Sequence, residues 1–419
     1  MHDDNAEHAI TPKPESAATK IPPLIGMAPL IRRAFNGENL VPMAQKLLAR
    51  AQENPLDAHA CLDLSAVLLI TGHRKDALAI QAEALAMQSR YFLPARHAKP
   101  GLRLLVLMGP GDFMANTPVE FLVEDSDVSL ELLYLGDKAE LPASLPDHDV
   151  LMVAMAESDA NLPLLKRLEK YLDDWPNPVI NRPEHIVKLS RNGVYAALQG
   201  LPGVEIPASV RIDRSVLQAL SNGETAITDI LPDGDFPIIV RPLGSHAGND
   251  LEKLERAEDF AAYLHAVGDE YFYVSRFVDY RGADGLFRKY RIAMIDGQPF
   301  VCHFAVSEHW MIHYLNAGMV ESAEKRMEEA ACMATFDDDF AVRHAAALQA
   351  IDQRIGLPYM GMDCAETASG ELLIFEVDNS MIVHAMDPED LFPYKAPAMR
   401  KVFAAFREML EKARVGTKS

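Results

Sequence analysis

Residues 360–379 read MGMDCAETASGELLIFEVDN, and the chain continues to residue 384 as SMIVH. Two apolar runs flank a Ser-Gly step, the pattern of a β-hairpin. The second run ends in a cluster of oxygen-bearing side chains, Glu376, Asp378 and Asn379, where isolated buried charge is costly. Glu376 and Asp378 are two residues apart and so share a strand face. If the runs pair around the turn, Asp363 falls across from the Glu376 region and three carboxylates converge on one face. Such a set needs counter-charge, and hard oxygens with room for phosphate suit Mg²⁺, with Mn²⁺ as the alternative. A solvated acidic face is the competing reading; the apolar residues on both faces of the LLIF and V positions argue against it.

Counter-charge lies upstream, in two places. FRKYRIAMIDG, residues 287–297, concentrates Arg288, Lys289 and Arg291 in an otherwise acidic chain. Lys289 and Arg291 share a strand face, and the Asp-Gly step marks a hairpin turn. Alone, this run reads as an edge strand blunted by charge. FPIIVRPLGSHAGND, residues 236–250, is a strand ending at Arg241 that enters a loop through Gly244, Ser245 and Gly248. Bare backbone N–H groups there can approach phosphate oxygens. HFAVSEHWMIHYLNAGM, residues 303–319, interleaves His303, His309 and His313 with aromatic residues. His309 and His313 are one helical turn apart, but no third metal ligand is evident, and structural histidines are the plainer reading.

The whole chain has 419 residues and a formal net charge of -21, which argues against a long nucleic acid or an anionic membrane as partner. Its four cysteines form no CxxC pair, so neither a disulfide framework nor a thiolate zinc site is signalled. The polar N-terminus and the lack of a long apolar run lead us to expect a cytoplasmic protein. Residues 1–22 read as a flexible tail. Residues 23–98 show helical periodicity, with Asn54 and Pro55 opening the second helix and Gly72 ending it. This segment resembles tetratricopeptide repeats over about one and a half repeats, too few for an array, and reads as a cap or homodimer element rather than a peptide-binding surface. Residues 99–183, opening with GLRLLVLMG, suggest a small parallel α/β unit. Residues 184–414 then read as helix (185–199), strand (203–212), strand, glycine loop, helix, the strand YFYVSRFVDY (271–280), a hairpin, a long helix (337–356), the acidic hairpin and a terminal helix.

That order, a Pro-flanked strand ending in a basic residue, a glycine loop, an aromatic strand, a basic strand and a late D…E-V-D-N hairpin, resembles the ATP-grasp superfamily over about residues 100–410. The glutathione synthetase and ribosomal-protein glutamate ligase branch is the nearest. The resemblance implies an α+β and α/β protein in which two lobes grip ATP, preceded by a small parallel α/β domain and the helical segment, with a hinge near 275–280. It implies an ADP-forming ligase that activates a carboxylate as an acyl phosphate for attack by an amine, from small-molecule or peptide substrates. Carried over residue by residue, Asp363, Glu376 and Asp378 are metal ligands, with Asp378 where Asn is usual. Arg291 and Lys289 act near the terminal phosphate. Arg241 stands where a lysine contacts ATP, followed by Gly244, Ser245 and Gly248, while Phe277 and Val278 meet adenine through their backbone. Gly193 replaces a second lysine, for which Lys188 or Arg191 substitutes. His309, Trp310, His313, Asn316 and His384 face the acceptor. A kinase of the same fold and a non-catalytic adaptor are the competing readings.

Overall fold

The computed structural model describes residues 21–416 apart from 98, 100, 137–140, 142, 143, 246 and 247. The tail expected over 1–22 lies outside them but for its last two residues. The chain opens with α1 (Met27–Phe35), α2 (Val41–Glu53), α3 (Ala58–Ile70) and α4 (Arg74–Met87). Asp57, rather than Asn54, caps α3, its carboxylate accepting the Ala60 N–H at 2.8 Å. One side of α3 packs Ala60, Leu64 and Val67 with Leu30 and Leu47 of its helical neighbours. The other side packs Ala58, Cys61 and Leu62 into the core of the following sheet. A helix buried on both sides joins its neighbours to the sheet, and β1 (Arg90–Leu93) continues the join by pairing with that sheet's edge.

Next come β2 (Leu102–Met108), α5 (Val119–Leu122), β3 (Val128–Tyr134), β4 (Val150–Val153), α6 (Leu162–Tyr171) and β5 (Val179–Ile180). The strand order is β1-β3-β2-β4-β5, parallel except for β1. Leu104 and Val106 of β2 face one core while Leu105 and Leu107 face another, which is why GLRLLVLMG reads as a continuous apolar run.

The helix expected over 185–199 is two, α7 (Pro183–Ile186) and α8 (Arg191–Leu198), because the Ser190 hydroxyl accepts the Gly193 N–H at 3.2 Å and starts a new helix. The single strand expected over 203–212 also divides, into β6 (Val204–Glu205) and β7 (Ser209–Asp213), which belong to different sheets. Then follow α9 (Arg214–Ser221), β8 (Ile238–Pro242), β9 (Glu252–Leu254), α10 (Asp259–Ala266) and β10 (Tyr271–Arg276). They form an antiparallel sheet in the order β7-β10-β8-β9, with a core of its own that includes Ile212, Leu217, Val240, Phe260 and Phe272.

The last part comprises β11 (Phe287–Ile295), β12 (Gln298–Ser307), α11 (Ala323–Thr335), α12 (Phe340–Arg343), α13 (Ala345–Ile355), β13 (Tyr359–Glu366), β14 (Leu372–Asp378) and α14 (Lys395–Gly416). Asp296 and Gly297 both adopt positive φ, 50° and 75°, at the β11–β12 turn, as the Asp-Gly step foretold. The helix expected over 337–356 breaks at His344, whose ring reaches Glu366 at 2.8 Å. The large sheet has the order β12-β11-β13-β14-β6, with β6 parallel to β14. A parallel α/β unit followed by two antiparallel-rich sheets is the arrangement that the ATP-grasp resemblance implies. No helix among the described residues is long and apolar enough to cross a membrane.

Candidate functional site

The β13–β14 register pairs Asp363 with Glu376 and Gly361 with Asp378. The three acids therefore lie on one face. The register shifts after Asp363, leaving Phe375 as an extra residue, so that Phe375 packs with Leu373 and Ala365 while Glu376 stays level with Asp363. Gly361 is dictated by the chain that folds back over it: a Cβ there would meet Met381 at 2.8 Å.

Asp363 differs from the open metal ligand expected. Arg291 donates to it at 2.8 Å and 3.0 Å, and Lys289 at 3.0 Å, so both its oxygens are engaged. Burial opposes its charge, yet the neighbouring Arg291 and Lys289 hold the carboxyl well below the usual range. Asp363 is thus the counter-ion that orders two cations, and Glu376 and Asp378 are the other two acids of this face. The ligand atoms of all three do not lie within 4.8 Å of one another. Ser380 donates to Asp378 through its backbone N–H at 2.9 Å and its hydroxyl at 2.8 Å. Asn379 turns away from the cluster. Its side-chain amide donates to the Met155 carbonyl at 3.0 Å and its backbone carbonyl accepts the Thr117 hydroxyl at 2.8 Å, bolting the acidic strand to the parallel sheet.

Of the two candidates for the second cation, Arg191 is the one that reaches the site. It donates to Glu376 at 2.8 Å and to the Phe375 carbonyl at 3.0 Å, whereas Lys188 is exposed. The lysine usual at 193 has no room here, since a Cβ would meet the Lys188 carbonyl at 2.4 Å. Arg241 bends onto its own loop, donating to the Ser245 hydroxyl at 3.1 Å and to the Ser245 carbonyl. Burial, and then Arg191, bring its pKa down to about 10. Burial works against ionisation of Glu376, but Arg191 and Arg241 keep its pKa below the ordinary value. Gly244 and Gly248 have left-handed backbones, φ 73° and 76°. A Cβ on Gly248 would lie 2.7 Å from the Met311 sulfur, so the loops of the two sheets touch.

At the aromatic strand, the Phe277 N–H donates to the Pro237 carbonyl at 3.0 Å. Val278 borders an apolar group with Tyr280, Trp310 and Phe375. Arg276 pairs with Glu205 and, at 3.5 Å, with Asp233. Residues 308–313 form a loop, so His309 and His313 do not share a helix face. The Trp310 ring meets Phe277 edge-on at 5.6 Å. The His309 N–H caps onto Ser307 and that of His313 onto Asn316, at 3.0 Å and 2.9 Å. Burial, then Lys289 and Arg291, lower the His313 pKa.

Two further groups escaped the sequence reading. Glu157 follows β4, where the ends of parallel strands commonly hold ligands, a positional signal that could have found it. Burial, Asp159 and Asp378 raise its pKa to about 7. Lys395, at the start of α14, is 3% exposed and pairs with Asp387 at 3.2 Å and the fully buried Glu329 at 3.4 Å. Nothing in its local sequence distinguishes it.

No protein-family model and no curated protein matches the sequence. Among solved structures, the chain is similar to a D-alanine–D-alanine ligase from Bacillus anthracis complexed with ATP, at 15% identity and a TM-score of 0.44, over 75% of this chain and 99% of that one. It is similar to the VanG D-Ala:D-Ser ligase from Enterococcus faecalis at 12% identity and a TM-score of 0.45, over 74% and 99%. A RimK domain ATP-grasp protein from Sphaerobacter thermophilus is similar at 14% identity and a TM-score of 0.40, again over 74% and 99%.

Proposed function

We propose that this chain is an ATP- and magnesium-dependent ligase that joins a carboxylate to an amine and releases ADP and phosphate. The observation that carries the reading is the convergence of Glu376 and Asp378 with four cations, Arg191, Arg241, Lys289 and Arg291, where the two sheets face each other. The donor set fits a magnesium polyphosphate: two acids offer hard oxygens, while the cations exceed what Asp363 alone balances. Magnesium bound by Glu376 and Asp378 would neutralise phosphate charge and align ATP with the carboxylate it activates. Arg291 and Lys289, held in place by Asp363, neutralise charge on the transferred group. Arg191 and the glycine loop that carries Arg241 bind the remaining phosphates, and Val278 with Trp310 and Phe375 provides an apolar seat for a flat base. Glu157, half neutral near pH 7, is suited to take the proton that the amine loses.

A non-catalytic adaptor is the second reading. It is favoured by Arg241, which bends to Ser245, and by the absence of the usual lysine at Gly193.

The test is magnesium-dependent ATP turnover by the purified protein against a pool of amino acids and small carboxylic acids, with products identified. ADP with free phosphate, released only with particular acid and amine pairs, is the expected result. A phosphorylated product would replace the ligase with a kinase. Absence of nucleotide binding, with and without magnesium, would leave the adaptor.

A further inference from the structure

The acids on the site face are each engaged by groups of the chain itself. Asp363 takes Lys289 and Arg291. Glu376 takes the Arg191 guanidinium at 2.8 Å, which is steadied by a second bond to the Phe375 carbonyl at 3.0 Å. Asp378 accepts from Ser380, and Arg241 turns to Ser245. Four cations thus stand against three acids, an excess of one positive charge. Glu157, with its pKa near 7, offsets part of that excess, while Arg211 and Asp159 cancel as a pair. Near pH 7 the face is neutral or positive, not negative.

That balance treats the two parts of a magnesium nucleotide differently. A bare divalent cation gains little from a carboxylate already neutralised, and the guanidinium on Glu376 repels it. A polyphosphate is attracted, and its oxygens screen Arg191 from the ion. Arg191 and Arg241 are like charges, close enough that Arg191, after burial, brings the Arg241 pKa down to about 10. Two neighbouring guanidiniums are relieved by an anion and aggravated by a cation. The backbone also holds Arg191 in place. It is the first residue of α8, whose opening turn is fixed by the Ser190 hydroxyl on the Gly193 N–H at 3.2 Å.

We propose that Arg191 makes magnesium binding conditional on the nucleotide: paired with Glu376, it keeps a bare divalent ion off the acidic strand, and the phosphates of the nucleotide lift that bar. The inference rests on the ligase reading and names how its metal site is controlled. Asp363 cannot play the part of Glu376 here, because Lys289 and Arg291 occupy both its oxygens.

The experiment follows Mn²⁺, a paramagnetic substitute for Mg²⁺, through its free-ion EPR signal in nucleotide-free titrations of the full-length protein. The parent is compared with Arg191→Met, Arg191→Lys and the double variant Arg191→Met with Glu376→Gln. The parent should bind Mn²⁺ weakly. Arg191→Met, which keeps an apolar stem and removes the charge, should bind it roughly tenfold more tightly or better. Arg191→Lys should stay as weak as the parent, and the double variant should lose the gain, which assigns the ion to Glu376. In calorimetry with Mn²⁺ present, a non-hydrolysable ATP analogue should bind the parent about tenfold more tightly than Arg191→Met. Equal Mn²⁺ affinity in the parent and Arg191→Met, or a gain that survives Glu376→Gln, would overturn the inference alone. An analogue that does not bind the parent would overturn the ligase reading and this inference with it.

Discussion

Glu376 and Asp363 face each other across two strands and should fail in opposite ways when neutralised. Glu376→Gln keeps volume and fold, because the partly exposed pair with Arg191, its side chains 33% and 23% exposed, contributes about 1 kcal/mol. It should nonetheless abolish magnesium-dependent ATP turnover, and a Gln variant that still turns over ATP removes Glu376 from the ion site. Asp363→Asn instead leaves Lys289 and Arg291 without a counter-charge in a largely dry site. A loss of about 3–5 kcal/mol in urea unfolding is expected, the cost of breaking a buried ion pair from one side. The Asp363 pKa is depressed in the fold, so its contribution is fully present above about pH 4, where unfolded aspartate is ionised, and is lost as the pH falls below that. An Asn variant should therefore show a flatter stability profile on the acid side than the parent.

At the scale of elements, the start of α1 carries the opposite pH dependence. Asp63 accepts the backbone N–H groups of Ile25 and Gly26, at 2.9 Å and 3.1 Å, and Glu120 accepts that of Ala28 at 2.9 Å. Burial, more than any neighbour, pushes their pKa values up to about 6 and about 7. A raised acid binds its proton more tightly when folded, so its stabilisation is full below about pH 4 and lost as pH rises through 6 to 7. Amide exchange of α1, corrected for base catalysis, should accelerate between about pH 4 and 7 and level off above, and Glu120→Gln should flatten that rise. The elements also show what was legible in the sequence. The Asp-Gly and Ser-Gly turns fixed both late hairpins, and period-two spacing put Lys289 with Arg291 and Glu376 with Asp378. RKDALAIQAEALAM is α4 residue for residue. Capping decided the failures: Ser190 and Asp57 start helices inside runs whose apolar spacing is unbroken. The long-range part of the site was hidden for a different reason. Arg191 meets Glu376, and Lys395 meets His303, only after the chain has folded across more than ninety positions.

For the whole molecule, nucleotide should couple the two sheets. Their loops already touch at Gly248 and Met311, and Lys253 of β9 lies 4.5 Å over the Phe277 ring beside Trp310. Magnesium with a non-hydrolysable ATP analogue at about a hundred times its Kd should add about 2.7 kcal/mol, visible as a rise in Tm, and magnesium alone should add little. An unchanged Tm with both present would speak for the adaptor. The helices α1–α4 belong to this unit as well, because α1 braces the loop that presents His384. The division of residues 203–212 has a consequence of another kind. The chain leaves the large sheet after Glu205, builds the four-stranded sheet around a private core, and returns after Arg276, which is ion-paired to Glu205. Exit and entry are clasped together, so the lobe is a parenthesis in the chain. A foreign lobe of equal span could be spliced between those two residues and leave the order and register of the large sheet's five strands as they are.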